Sequence, residues 1–440
     1  MRNSFPTQYY GCWSAILTAD EFKESIRAVT DLNILVLSQN YSPEPIPKPS
    51  DIAESLSSRG HNVTVLTAIP NYPFGRFYDG YPFRLWRKSR ENGVDVIRLL
   101  LFPDHSKSLI KRSLSYLSFA LTAIFLFPIL MRKVDVIYVW HPPTTIGIVA
   151  LFYSAIKRAP FLYAMHDMWP ENVLEVGALT KKNILYKSMD YLQGFICSKA
   201  ALIGISSPAF KEILLRKGVP EDKMRFLPDW ASESIYFPFT PEDNFNGPNA
   251  SEKFTILFAG QLGAAQNLVS IVDTAKTLDE FNDLEFVFLG DGVQKDMLQN
   301  KVQSLNLRNV RFLDQVSNVE SNKFLNMADV LLVHLKAGFL SQVSIPSKTY
   351  SYMAVGKPIL MAVEGAAADL VVSSKCGLAC SPDDVGSLKK AILELYNMPK
   401  CELNTLGENG RLIFSEHYSM KSGIDNHEAL LLNLIHNDSK

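Results

Sequence analysis

The sequence predicts an α/β protein made of two doubly wound domains in series. Three observations carry this. Short apolar runs bounded by turn formers recur in both halves, as buried parallel strands do. Stretches of helical period alternate with them. A polar, weakly patterned segment, FPFTPEDNFNGPNASEK, separates the two sets. A length of 440 residues is also more than one core comfortably serves. The division expected is an N-terminal extension at 1–31, a first domain at 32–238, a linker at 239–252, a second domain at 253–420 and a closing segment at 421–440.

Taken in order, LNILVLS reads as a buried strand that breaks into the proline-rich loop QNYSPEP. KPSDIAESLSSRGH follows at helical period and stops at Arg59-Gly60, a basic last turn and a glycine terminator. NVTVLTAIP is the next strand, which completes a β-loop-α-β unit and predicts a parallel sheet with a right-handed crossover. The runs VDVIRLLLF, VDVIYVW, APFLYAMHD and ALIGISS continue the pattern. After the linker the same grammar restarts with FTILFAGQLGAAQNL, then LEFVFLGDG, VRFLDQV, ADVLLVHL and KPILMAV. In such sheets ligands gather at the carboxyl ends of strands.

One segment departs from this grammar: SLIKRSLSYLSFALTAIFLFPILMRK. Its apolar stretch, Leu114 to Met131, would run roughly 27 Å as a helix at about 1.5 Å per residue, close to the roughly 30 Å of a hydrocarbon core. A span would put two strands of one sheet on opposite sides of a bilayer, because VDVIYVW follows at once. The reading preferred is a helix that dips into the membrane surface, flanked by Lys107, Lys111, Arg112, Arg132 and Lys133. The alternative is a helix wholly buried in the core.

Composition limits the rest. Apolar residues are 47% and charged residues 20%, and the formal net charge is -1, so no whole-chain electrostatic case exists for nucleic acid. The five cysteines are odd in number and scattered, which suits a reducing compartment and gives no zinc-like spacing. The first residues do not read as a secretion signal.

Candidate chemistry sits in loops after strands. Gly260 and Gly263 in FAGQLGAAQNL let backbone approach a ligand closely, and Gly290-Asp291-Gly292 ends a strand ahead of a helix, a layout that offers N–H groups to an anion. Both also occur as plain turns. FLSQVSIPSKTYSYMAVGKPILMA adds Ser344, Ser347 and Thr349 as hydroxyl donors, with Lys348 at a helix start, where the dipole disfavours a cation unless an anion lies between. A diphosphate site and a solvated lysine beside an N-cap serine are the two readings. In the first half, HDMWPENVLEVGAL places His166, Asp167 and Glu171 together, with Trp169 before Pro170, as a sugar-hydroxyl site with possible proton transfer or as a helix start with a packed tryptophan. AIPNYPFGRFYDGYPFR is either a sugar-stacking loop or a rigid one.

Together the two halves resemble a glycosyltransferase of the GT-B fold, in family 4 of the retaining, nucleotide-sugar-dependent enzymes. The matching stretches are NYSPEP, SSRGHNVTVLTAIPNYPFGRFYDGY, SYLSFALTA, DMWPENVLEVGAL, FAGQLGAAQNL, GDG, IPSKTYSYMAVGKPIL and CGLACSPDD, from about residue 32 onward. They are most similar to the bacterial surface-polysaccharide branch, of the fucosamine-transferase and colanic-acid types. The resemblance implies two Rossmann-like domains facing a central cleft. The second would bind a nucleotide diphosphate sugar through Gly260, Gly263, Gln266, Gly290, Asp291, Gly292, Ser344, Ser347, Ser351 and Glu364. The first would bind a polyprenyl-diphosphate-linked acceptor through Asn40, Tyr41, Glu44, Asn71, Tyr72, Trp169 and Glu171. His166, Asp167 and Lys348 would be catalytic, and no metal or other cofactor is expected. The last helix, around HEALLLNLI, would pack back on the first domain. The protein is then expected in the cytoplasm at the inner membrane, making O-antigen or capsule.

The sequence departs from the family at three places. Val343 and Ser351 stand where many members carry paired glutamates, Gln261 and Gln266 where many carry a cation, and Pro45-Ile46-Pro47-Lys48-Pro49 replaces a glycine-containing turn. A nucleotide-sugar 2-epimerase of the same fold and an inactive scaffold in a polysaccharide assembly complex are the rival readings.

Overall fold

The computed structural model describes residues 31–106, 108–126, 133–175, 180–239 and 253–437. The N-terminal extension, Lys107, the end of the apolar segment with Met131 and Arg132, and nearly all of the expected linker lie outside the described residues. The chain forms two compact units, one running to Leu227 and resuming at Ile424, the other spanning Pro228–Gly423.

In the first unit the strands are β1 Asn33–Leu37, β2 Asn62–Ala68, β3 Trp86–Glu91, β4 Val94–Leu99, β5 Val136–His141, β6 Phe161–Met165, β7 Leu202–Ile205 and β8 Met224–Phe226. They form one sheet in the order β3-β4-β2-β1-β5-β6-β7-β8, parallel except for β3, which runs antiparallel to β4. The helices are α1 Lys48–Ser58, α2 Leu109–Phe125, α3 Thr145–Lys157, α4 Glu171–Glu175, α5 Ile184–Lys199 and α6 Ala209–Arg216. Every residue of β4, β5 and β6 is buried, as expected of strands covered on both faces.

The edge strand β3 is the element the sequence hides. Its WRKSRE is polar and mostly exposed, so it lacks the apolar signal of a strand. It pairs because β4 buries two charges that need partners. Arg98 is 1% exposed and donates to Glu91 at 2.9 Å and to the Ser42 carbonyl at 2.7 Å, and Asp95 is held by Lys88 at 3.3 Å. An unpaired charge at either position would be costly.

The second unit repeats the plan with β9 Phe254–Ala259, β10 Leu284–Leu289, β11 Val310–Leu313, β12 Val330–His334, β13 Ile359–Ala362 and β14 Gly377–Ala379. Their order is β11-β10-β9-β12-β13-β14, all parallel. Its helices are α7 Leu268–Thr277, α8 Lys295–Ser304, α9 Asn318–Met327, α10 Phe339–Val343, α11 Lys348–Ala354, α12 Ala366–Ser373, α13 Val385–Tyr396 and α14 Lys400–Ile413. The core between sheet and helices gathers Ile256, Phe258, Leu268, Ile271, Phe286, Leu332 and Ile392. The strand order reverses direction at β9, so the loop after β9 is the place where a ligand crevice is expected.

The unit boundary lies at Leu227/Pro228, ahead of the expected linker. Pro228–Phe239 goes with the second unit because α9 binds it: Asn322 accepts from the Phe237 N–H at 3.3 Å and Asn326 from the Phe239 N–H at 2.8 Å. The last helix, α15 Met420–Asn437, crosses back into the first unit. There Arg59 pairs with Asp425 at 2.6 Å and with Glu428, and the His61 ring meets Glu428 at 2.9 Å. Among the described residues no helix is long and apolar enough to cross a membrane.

Candidate active site

In the second unit the residues around the β9 switch point converge on one ammonium group. Gly260, at the end of β9, has φ +134°, and a β-carbon placed on it would lie 2.8 Å from Lys348 Nζ. The same Nζ sits 3.7 Å from the centroid of the Phe258 ring. Part of Lys348 reaches solvent, but its Nζ does not, and it has no hydrogen-bond partner among the described residues. Burial pushes its pKa down to about 7. The lysine is therefore not the solvated one of the bland reading.

An orphaned cation under a glycine is an unfavourable arrangement on its own. Ser347 precedes α11 and Ser344 follows α10, so both hydroxyls belong to the turn that launches the lysine. Ser347 makes no side-chain cap, whereas the Thr349 hydroxyl is buried without a partner. The Ser351 hydroxyl donates to the Lys348 carbonyl at 2.9 Å, a local bond that pins the first turn of α11 and leaves the oxygen lone pairs as acceptors. Glu364, after β13, lies 3.4 Å from Gln342 Nε2.

The Gly290-Asp291-Gly292 loop does a different job from the anion cradle read in the sequence. The Gly290 N–H donates to the Leu313 carbonyl at 3.1 Å and the Gly292 N–H to the Asp291 carboxylate at 2.8 Å, so both are spent. The glycines are needed because backbone crowds them. A β-carbon at Gly290 would meet the Gly260 carbonyl oxygen at 2.0 Å, and one at Gly292 the Leu262 carbonyl oxygen at 2.4 Å. The Leu262 N–H donates to the Asp291 carbonyl at 2.8 Å, and the two loops are laced together.

His334, at the end of β12, escaped the sequence reading. Its Nδ1 lies 2.6 Å from the Gln266 carbonyl and its Nε2 3.1 Å from the Ser270 hydroxyl, and burial holds it below the usual histidine range. It thereby fixes the Gly263–Gln266 turn against the sheet, with the Gln266 side chain folded beside Gly263. A polar residue closing an otherwise apolar run, VLLVH, was the available signal.

In the first unit the loops after β1 and β2 are joined by one carboxylate. Glu44 accepts from Asn40 Nδ2 at 3.0 Å and the Tyr41 N–H at 3.2 Å through one oxygen, and from the Asn71 and Tyr72 N–H groups at 2.7 Å each through the other. Burial raises its pKa against the pull of those four bonds. Five residues expected at the acceptor site thus share one place, but the Glu44 carboxylate is a brace between loops rather than a group left for a ligand.

After β6, His166 stacks on Trp140 with ring centroids 3.5 Å apart, and Asp167 and Trp169 follow. The Glu171 carboxylate is held by Lys217 at 2.8 Å, and Lys217 also reaches Asp190 at 2.7 Å, so this member of the expected cluster is ion-paired. His141, fully buried at the end of β5, is pushed down to about 3 by burial and by the neighbouring His166 and Lys217, and stays neutral. A cavity of about 450 Å³ lies at the opposite, amino ends of β1 and β2, lined by Asn33, Asn62, Trp86 and Lys88, and holds none of these residues. Among the described residues no group of three or more metal-ligating side chains is assembled.

Comparison with known proteins meets this geometry from two sides. Residues 49–230 match the family model of a glycosyl transferase 4-like domain, and residues 239–412 that of glycosyl transferases group 1. The chain is 29% identical over 259 residues to the glycosyltransferase WbjE of Pseudomonas aeruginosa, which covers 58% of this chain and 64% of that one. It is 28% identical over 395 residues to WcaI of Escherichia coli K12, named for colanic acid biosynthesis, covering 84% of this chain and 93% of that one. Among solved structures, sucrose-phosphate synthase of Thermosynechococcus elongatus superposes with a TM-score of 0.70 at 17% identity, over 92% of this chain and 100% of that one. HepE of Anabaena in complex with UDP gives 0.66 at 17% identity, over 91% of this chain and 100% of that one. At such identity the structural likeness is one of fold, and that fold is GT-B. With its two halves matched in order by these two domain models, the chain belongs to the family 4 glycosyltransferases.

Proposed function

We propose that this enzyme transfers a sugar, with retention of configuration, from a nucleotide diphosphate sugar held by the second unit to a polyprenyl-diphosphate-linked acceptor held by the first. The observation that carries the reading is the buried, unpartnered Lys348 ammonium beside Gly260. A diphosphate entering there would give the ammonium its counter-charge and would itself be stabilised as a leaving group. Transfer should then need no added metal. The structural neighbour HepE is known in complex with UDP and with UDP-glucose, which fits a uridine donor for this chain as well.

The acceptor side rests on the loops braced by Glu44 and on His166 and Asp167 at the end of β6. Work at the inner leaflet fits α2, whose Ile110, Leu114, Leu117, Leu121 and Phe125 are exposed in one stripe. The product would enter O-antigen or capsule. The test is a donor panel incubated with the folded protein and a polyprenyl-diphosphate sugar, with and without chelator. Nucleotide release that requires the acceptor and survives chelation supports the proposal. Release of an epimerised sugar from donor alone, or no release with any donor, overturns it.

A further inference from the structure

A second helix of the first unit carries the same kind of unpartnered face as α2. On α5 the residues Ile184, Tyr191 and Phe195 are 77%, 77% and 42% exposed. Their spacing of seven and four residues puts them on one line down the helix, with Ser188 between. Lys187 and Lys199 border that line, and Lys181 and Lys182 stand exposed just ahead of it. Lys199 Nζ lies over the Phe195 ring, 5.9 Å from its centroid, so a cation stands directly beside the apolar line.

The placement of α5 relates it to α2. Both pack against α3, one on either side. The crossovers β4-α2-β5, β5-α3-β6 and β6-α5-β7 all move in one direction along the sheet, which puts all three helices on one face. The charges on them are unbalanced. These helices carry Lys111, Arg112, Lys157, Lys187 and Lys199 but a single acid, Asp190, which pairs with Lys217 away from the stripe. A soluble partner protein has no need of so one-signed a rim, whereas an anionic bilayer matches both the apolar line and the lysines around it.

We propose that α5 is a second bilayer-contacting helix, and that α2 and α5 together seat the first unit on an anionic phospholipid surface. This rests on the peripheral-membrane part of the proposed function and adds to it a footprint with two apolar lines separated by α3. Two lines fix the orientation of the unit on the surface, which one line cannot do.

The experiment is sedimentation of the full chain, without donor, with vesicles of phosphatidylglycerol and phosphatidylcholine and with vesicles of phosphatidylcholine alone. The parent should partition to the anionic vesicles. Ile184→Ser/Tyr191→Ser/Phe195→Ser should lower that partition at least ~10-fold with α2 intact. Lys187→Glu/Lys199→Glu should lower it on anionic vesicles only. Unchanged thermal unfolding and nucleotide binding would show that the variants fold. If the triple α5 variant binds as the parent does while Leu117→Ser/Leu121→Ser loses binding, this inference falls and the peripheral reading stands. If the parent ignores both vesicles, both fall. A parent that elutes as a dimer and a triple variant that elutes as a monomer would assign the face to a second copy and overturn the inference.

Discussion

Lys348 Nζ occupies the space that a side chain on Gly260 would need, 2.8 Å from the position of a β-carbon there. The lysine and the glycine come from different crossovers of the second sheet, and only their meeting leaves a sealed cation at the carboxyl end of the central strand.

Gly260→Ala is therefore expected to act through Lys348. The added methyl must displace the ammonium, and φ +134° adds backbone strain of about 1–3 kcal/mol. UDP affinity, read by calorimetry, should fall about 10-fold or more, at a cost of about 1.4 kcal/mol per decade. Affinity equal to the parent's would separate the glycine from the site.

Removing the cation should trade activity for stability. Lys348→Met is expected to lower turnover about 100- to 1,000-fold, the scale for one electrostatic stabiliser of a developing charge. Relieving a buried charge should raise the unfolding free energy by about 1–4 kcal/mol below pH 7. Denaturant titration and nucleotide release on the same preparation check both halves.

The depressed pKa also sets a pH signature. Folded Lys348 loses its proton above about 7, whereas in the unfolded chain it keeps it up to the ordinary 10.5. Stability should rise with pH across that window, since the unfolded state then binds more protons. An anion at Nζ restores the proton, so UDP binding at pH 8 should take one up. Its heat should vary with the ionisation enthalpy of the buffer, and Lys348→Met should abolish the variation.

Glu44→Ala is expected to damage acceptor use and fold together. It strands the Tyr41, Asn71 and Tyr72 N–H groups, at about 1–3 kcal/mol for each left unsatisfied. The KM for acceptor should rise while UDP affinity stays that of the parent, because the damage is confined to the loops after β1 and β2.

On acidification the return helix should lose part of its hold on the first unit. Burial tends to raise the Glu428 pKa, but hydrogen bonds from His61 and Arg59 outweigh it and hold the carboxylate below its usual range. A carboxylate so depressed contributes stability that is complete above its unfolded value of 4.5 and lost as pH falls through the folded one. Glu428→Gln should cost about 1.5–3 kcal/mol at pH 7 and less at pH 4, measured by urea unfolding.

By itself the sequence determined the two α/β halves, the placing of Gly260 in a loop at the carboxyl end of a strand, and that of Lys348 at a helix start. Those features are local: apolar runs, helical period and turn residues declare themselves within a few positions. It could not declare β3, whose charged strand is drawn to the sheet by Arg98 and Asp95 of β4, nor His334, whose partners come from the loop after another strand. The tertiary structure alone decided which candidate side chains remain available. Glu44 is taken up by the Asn71 and Tyr72 N–H groups, Glu171 is ion-paired by Lys217 and Ser351 gives its proton to its own helix turn, whereas Lys348 is brought beneath Gly260 with no hydrogen-bond partner among the described residues. Whether a polar group is spent or free depends on what packs against it from far along the chain, and no local pattern encodes that.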